Sequence, residues 1–152
     1  MIRIFKSERR LEYTDGSEHF SCLVMLGANP EGHKQREGDG RTPEGVYRVC
    51  TVNRESKFHI SLGLSYPNAR DAREGFREKR IGLAALCLLL AQNALGLRPC
   101  WKTALGGFVM IHGESPDGKS GDWTQGCAAV SNKDIEALAS KVKKGEKVEI
   151  LP

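Results

Sequence analysis

Short alternating apolar segments, cut apart by glycine and proline, fill the first half of this chain and restrict it to a strand-built fold. Ile2-Arg3-Ile4-Phe5 alternates, as a strand with one buried face requires. Arg10-Leu11-Glu12-Tyr13 runs into Thr14-Asp15-Gly16, a short-loop hairpin signal, and His19 to Leu26 supplies the next strand. Val46 to Val52 reads as a further strand. Phe108-Val109-Met110-Ile111-His112 reads as a buried strand that delivers His112 at its end, and Lys147 to Leu151 as a closing strand. Between them, Gly27 to Gly45 is a polar loop rich in Gly and Pro. It is too long for an idle connection and is expected to be functional.

Helices interrupt this pattern twice. Residues around Asn68 to Gln92 carry the signals of one or two helices. Within and beyond that stretch, Ile81 to Leu97 is apolar, broken at Gln92 and Asn93, and short for a bilayer span, so no transmembrane segment is expected. It reads as a core helix; a cap over a cleft or a face for a partner are the alternatives. Further on, Ser131 and Asp134 have the form of a capping box, Ile135, Leu138 and Val142 make an apolar stripe, and Gly145 is the expected stop. The prediction is therefore mainly β with helical insertions: one inserted helical segment over about 69–97 and one C-terminal helix over about 132–144. The 152 residues fit one domain, with no repeat or linker inside it.

Composition excludes several classes. The formal charge of +4 is mild and the basic residues are interleaved with acidic ones, so no nucleic acid is expected as a partner. Five cysteines, an odd number with no C-x-x-C, argue against a disulfide framework or a tetrahedral zinc site; no metal and no cofactor is expected. Cys22, Cys50 and Cys87 lie in apolar runs and read as small buried hydrophobes. His33 reads as loop surface and His59 as half-buried, neither with an identifiable partner.

The chemistry concentrates in two strings, Ile111-His112-Gly113 and Trp123-Thr124-Gln125-Gly126-Cys127-Ala128-Ala129-Val130. A cysteine directly after a glycine, with a histidine upstream, is the layout of a thiol nucleophile and its imidazole base. A free thiol is only slightly ionised at neutral pH, so a base that takes its proton is what makes it attack. Gly126 tolerates the tight bend that aims the Cys127 N–H at a developing oxyanion, with Gln125 or Gly126 as the second backbone donor. Among the other candidates, Arg41 reads either as a bidentate clamp on a substrate carboxylate or as an ion-pair partner of Asp39 or Glu44. Thr42 and Pro43 shape the same loop, and Thr42 is also a candidate to bind substrate. Tyr66 and Asn68 read as cleft-lining residues or as part of a turn at Pro67-Asn68. Trp123 reads as a cleft wall or a core aromatic, Thr124 beside it as a substrate-binding candidate, and Trp101 as core.

The string from Trp123 to Ile135 resembles the active-site signature of the L,D-transpeptidase catalytic domain (YkuD) family, in its YafK-like branch. Several other segments match in order. They are Lys6 to Leu11, Gly27 to Lys34, Gly38 to Tyr47, Leu64-Ser65-Tyr66-Pro67-Asn68, and Trp101 to Gly107. The resemblance covers nearly the whole chain. It implies a β-sandwich with the cysteine and histidine in one cleft, and a Gly113 carbonyl that orients the imidazole; a side-chain orienter is the alternative. It also implies a reaction. The Cys127 thiolate attacks the carbonyl of the L-centre diaminoacyl residue of a peptidoglycan tetrapeptide stem, and the terminal D-alanine leaves. An amine then resolves the thioester, giving a 3-3 crosslink or a wall-anchored protein, or water does, giving a hydrolase. Carbapenems are the expected inhibitors. Many members of the wider family carry arginine two positions after the nucleophile, where this chain has Ala129, which removes one candidate carboxylate anchor. Members of this branch include enzymes that cleave peptidoglycan from an attached lipoprotein, so hydrolysis stands beside crosslinking. A non-catalytic module binding wall peptides is the third reading.

Met1-Ile2-Arg3-Ile4-Phe5-Lys6 lacks the apolar core of a signal peptide. The expectation is the cell envelope or periplasm if a leader has been removed, and the cytoplasm if Met1 is the native start.

Overall fold

The computed structural model describes residues 1–152. Eight strands form one sheet, in the order β3-β2-β1-β8-β4-β5-β6-β7. They are β1 (Ile2–Phe5), β2 (Arg10–Asp15), β3 (Glu18–Leu23), β4 (Gly45–Ser56), β5 (His59–Leu64), β6 (Met110–His112), β7 (Ala128–Ala129) and β8 (Lys147–Leu151). The helices are α1 (Ala69–Arg77), α2 (Leu83–Ala94) and α3 (Asn132–Lys141). Two strand pairs, β1–β8 and β6–β7, are parallel and the rest antiparallel. Just after β3, Met25 pairs with Ala129 of β7, each N–H donating to the other's carbonyl at 2.7 Å. The two ends of the strand order thus meet, and the sheet curls around its own core.

That core holds 22 buried residues, among them Ile2, Ile4, Leu11, Leu62 and Ile150, the inward positions of the alternating strands. The β2–β3 hairpin turns at Gly16, whose φ of 56° suits glycine. The mainly β prediction holds, with two strands it did not contain. Strand β5 includes Ser61 and Gly63 and so lacks a strong strand composition. Gly63 is required there, because a Cβ would come within 2.9 Å of the Trp101 ring, which is buried as expected. Strand β7 has only two residues and carries no periodic signal.

The C-terminal helix ends earlier than its sequence suggests. Val142 leaves the helix with extended backbone (ψ 133°) and buries its side chain in the core, so Gly145 serves the following turn rather than the stop. Ser131 does cap α3, accepting from the Asp134 N–H at 3.1 Å.

The core-helix reading of Ile81–Leu97 is overturned. Of α2 itself only Leu89 is buried, while Leu83, Leu88 and Leu95 are 63%, 47% and 72% exposed. The sheet closes over its core without this helix. The helix packs instead on α1 through a small satellite cluster of Ala72, Ile81, Leu89 and Leu105, which occupies one face only. Cys87 consequently lies exposed, not buried, and Cys22 and Cys50 are half-buried. Burial still pushes the Cys22 thiol up to about 12, as an inert structural cysteine requires.

Candidate active site

The end of β6 sits between β5 and β7, and this places His112 in the cleft with 1% of its surface exposed. Its Nδ1 lies 2.7 Å from the Gly113 carbonyl oxygen. A carbonyl only accepts, so Nδ1 carries the proton and Nε2 is left as the basic nitrogen. The backbone carbonyl is therefore the orienting group, as the family resemblance implies. Gly113 admits no side chain, since a Cβ would fall 2.4 Å from Asn132 Oδ1 and 2.6 Å from the Phe58 carbonyl oxygen. Phe58 stacks on the imidazole at 4.3 Å and 19°, and Trp123 meets it edge-on at 5.6 Å. Burial, with a smaller contribution from the Lys57 ammonium, lowers the His112 pKa against the opposing effect of the Gly113 carbonyl. The ring is thus neutral near pH 7, as a general base must be.

Cys127 stands on the turn that enters β7. It lines the same cavity as His112, a cleft of about 480 Å³ whose walls include Phe58, Phe108 and Trp123. Its Sγ–H donates to the Phe108 carbonyl at 3.4 Å, not to the imidazole. Burial pushes the thiol up, partly offset by the Met110 N–H and the ammonium groups of Lys34 and Lys57. The resting pair is therefore a neutral thiol turned toward Phe108 and a neutral imidazole. Phe108 holds a φ of 54°, a conformation a bulky residue adopts only when its surroundings impose it.

The turn itself is braced by threonines. Thr124 Oγ1 donates to the Cys127 carbonyl at 2.7 Å and accepts from the Gly126 N–H at 3.1 Å. This removes Gly126 from the expected oxyanion donors. The N–H groups of Cys127 and Gln125 donate to nothing in the protein and remain available. Gly126 has a φ of 124°, and a Cβ there would come within 2.5 Å of the Arg41 carbonyl oxygen. Only glycine lets the functional loop close against the nucleophile turn. Thr42 contributes from beneath: it is fully buried, accepts from the Gly27 N–H at 3.1 Å and donates to the Cys127 carbonyl at 3.5 Å. Its role is to tie the loop to the turn, not to touch substrate.

Three expected cleft residues lie elsewhere. Arg41 points its guanidinium toward Gly32, forms no ion pair, and leaves its buried Nε without a partner. The carboxylates proposed for it are taken: Asp39 by Lys34 at 2.8 Å and Glu44 by the buried Lys6 at 2.7 Å. Tyr66 is wholly buried and donates to the Leu105 carbonyl at 3.0 Å. Asn68 caps α1, its Oδ1 accepting from the N–H groups of Arg70 (2.8 Å) and Asp71 (3.0 Å). Asp71 Oδ2 in turn accepts from the Asn68 N–H at 2.8 Å, completing a capping box. The two histidines read as unpartnered both have partners. His33 accepts from the Glu44 N–H at 2.9 Å, and the exposed His59 lies 2.6 Å from Glu136.

Sequence reasoning missed Phe58, Phe108, Lys34 and Lys57. Lys34 falls in the loop flagged as functional, and nothing singled it out. Its Nζ donates to Asp39 Oδ1 and to the Arg36 carbonyl, and comes within 3.5 Å of where a Gly126 Cβ would stand. Asp122, also missed, anchors the loop before Trp123 by accepting from Arg9 and from the Leu26 N–H at 2.8 Å.

A neutral imidazole with a fixed tautomer, a thiol in the same cleft and two free backbone N–H donors are the parts that a cysteine-based catalytic domain needs. The sequence model of the L,D-transpeptidase catalytic domain (YkuD) matches residues 1–150, and the chain belongs to that family. Family membership implies peptidoglycan-related catalysis. YafK of Escherichia coli strain K12, which carries the name of a candidate L,D-transpeptidase, is 30% identical over 101 residues, 62% of this chain and 41% of YafK. The helical cell shape determining protein Pgp2 of Campylobacter jejuni shares the fold at a TM-score of 0.67 and 23% identity, covering 98% of this chain and 46% of Pgp2. Bd1075 of Bdellovibrio bacteriovorus does so at 0.62 and 22%, covering 99% of this chain and 47% of Bd1075. The match thus spans less than half the length of each of these relatives.

Proposed function

We propose that this domain is a cysteine acyltransferase acting on peptidoglycan tetrapeptide stems. The observation that carries the reading is the Nδ1–Gly113 hydrogen bond, which leaves Nε2 as the base in the cleft that holds the Cys127 thiol. Nε2 takes the thiol proton, and the thiolate adds to the carbonyl of the third stem residue. The resulting oxyanion meets the N–H groups of Cys127 and Gln125. The imidazolium then gives its proton to the amine of the departing D-alanine, leaving a thioester. An incoming amine completes a 3-3 crosslink or anchors a protein, with His112 taking the proton again.

Water as the final acceptor is the second reading, and Ala129 favours it. That side chain is wholly buried and its backbone is paired with Met25, so the position offers the cleft no cation to hold an acceptor's carboxylate. Cell-shape maintenance is the biological role we infer, by analogy with Pgp2, and the cell envelope, where the stems lie, is the proposed location.

The test is intact-protein mass after incubation with a carbapenem, whose ring carbonyl stands in for the scissile one. The expected result is one adduct on the wild type, none on Cys127→Ala and slower formation on His112→Ala. Muropeptide products with and without an acceptor amine then separate transfer from hydrolysis. Absence of an adduct, of any muropeptide turnover and of selective Cys127 alkylation, with wall-peptide binding retained, would replace both readings with a binding module.

A further inference from the structure

The α1–α2 hairpin presents a surface that the acyl-transfer chemistry does not use. From Ile81 to Leu97 the chain carries no charged side chain. Ala84, Leu88, Ala91 and Leu95 recur every three or four residues along α2 and its C-cap, and all are exposed. Leu83, Cys87 and Ala94 widen this stripe and are exposed as well. Single exposed leucines are ordinary, but a continuous apolar helix face on a protein surface marks a contact. The helix is about 18 Å long, against a hydrocarbon core of about 30 Å. No helix of the structure is long and apolar enough to cross a membrane.

Beside the stripe runs a row of guanidinium groups. A groove of about 610 Å³ between the helices has Arg70 and Arg73 on one wall and Leu90, Asn93 and Ala94 on the other. Arg70, Arg73 and Arg77 also surround a shallow trough in which Glu74 is the only carboxylate. Glu74 lies 4.0 Å from Arg70 and 3.3 Å from Arg77, and Glu78, shared with Arg80, lies 3.8 Å from Arg77, while Arg73 has no acidic partner. Positive charge on this face is therefore in excess, directly beside an uncharged leucine surface. A second copy apposed through this same face would cover the leucines but set arginine row against arginine row, with only Glu74 and Glu78 of each copy to oppose them. A bilayer of anionic phospholipid supplies both, with phosphates for the guanidinium groups and an acyl boundary for the leucines.

We propose that the α1–α2 hairpin docks this domain onto an anionic phospholipid bilayer. Leu83, Leu88 and Leu95 enter the acyl boundary, and Arg70, Arg73 and Arg77 hold lipid phosphates. The helix lies in the interface and does not span it.

The test is co-sedimentation of the chain with phosphatidylcholine vesicles, with and without phosphatidylglycerol. Binding is expected only when phosphatidylglycerol is present and is expected to weaken as salt is raised. Leu88→Glu/Leu95→Glu should lower the vesicle affinity about tenfold or more, because both side chains leave the acyl boundary. Arg70→Gln/Arg73→Gln/Arg77→Gln should lower it about fivefold or more, at roughly fivefold for the unopposed Arg73 and less for each of the two partnered arginines. All five positions lie off the core, and circular dichroism with Cys127 alkylation checks that the variants fold. No sedimentation with phosphatidylglycerol vesicles overturns the proposal. So does equal binding to phosphatidylcholine alone, or a lipid-free dimer that Leu88→Glu dissolves, which would assign the face to a second copy.

Discussion

Lys57 stands exposed on the rim of the cleft, its ammonium 4.8 Å from the centre of the Phe58 ring that stacks on His112. Its charge lowers the pKa of both members of the pair, after burial in the case of His112 and against burial in the case of Cys127. The sign of the pH dependence follows. His112 must be neutral to take the thiol proton, and its pKa lies below the ordinary 6.5, so kcat/KM rises with pH through a point below 6.5 and is level by neutrality. Lys57→Met should move that acid limb to higher pH. It should also slow alkylation of Cys127 at mildly alkaline pH by about two- to threefold, an effect that disappears near 1 M salt because the charge is screened. A pH profile and a timed iodoacetamide reaction read by mass check both. An acid limb that stays in place in Lys57→Met would show that burial and the Gly113 carbonyl set the imidazole without Lys57.

At the scale of elements, the helical insertion is held by little. α2 meets the rest of the protein through Ile81, Leu89 and Leu105 in the satellite cluster, with Asn93 donating to the Pro67 carbonyl at 3.2 Å. Leu89→Ala should cost about 2–5 kcal/mol, as truncation of a fully buried leucine does. The loss should appear as early loosening of α1 and α2, read by hydrogen exchange, while Cys127 keeps its reactivity below the transition. Loss of Cys127 reactivity together with the helices would mean that the insertion supports the cleft. The helix itself was legible in the sequence, because a run this long, rich in Ala and Leu and free of proline and β-branched residues from Leu83 to Ala94, favours a helix. Its burial was not legible. A helix apolar on every side shows no preferred face, so the pattern cannot say which residues find partners. The C-cap of α3 is a second case: Gly145 is a sound stop signal, yet Val142 leaves the helix first because the sheet core takes its side chain.

Over the whole molecule, the site exists because distant segments close on one another. Met25 pairs with Ala129, Gly27 with Thr124, and the loop through Gly40 to Thr42 packs under the nucleophile turn. Gly27 is where that packing is tightest, since a Cβ there would lie 2.0 Å from the Gly40 carbonyl oxygen. Gly27→Ala should therefore push the loop away from the turn and lower acylation of Cys127 by about tenfold or more, since small misplacements of a reacting group cost rates of that order. Circular dichroism should show the sheet retained. Wild-type acylation rates in this variant would mean that the loop does not position the nucleophile.

The sequence by itself determined the strand-built class, His112 and Cys127 as the residues to look for in one cleft, and the need for glycine at 126, because periodicity, residue chemistry and a tight turn are local properties. Only the tertiary structure decided which neighbours serve the pair. Phe58 and Lys57 reach His112 from the β4–β5 turn, and Lys34 from the loop and Phe108 from the approach to β6 serve Cys127, while Arg41, Tyr66 and Asn68 turn to packing, hydrogen bonding and capping. The physical reason is that a side chain's direction and partners depend on how the sheet curls and where its loops close, and residues far apart in the chain carry no local record of that closure.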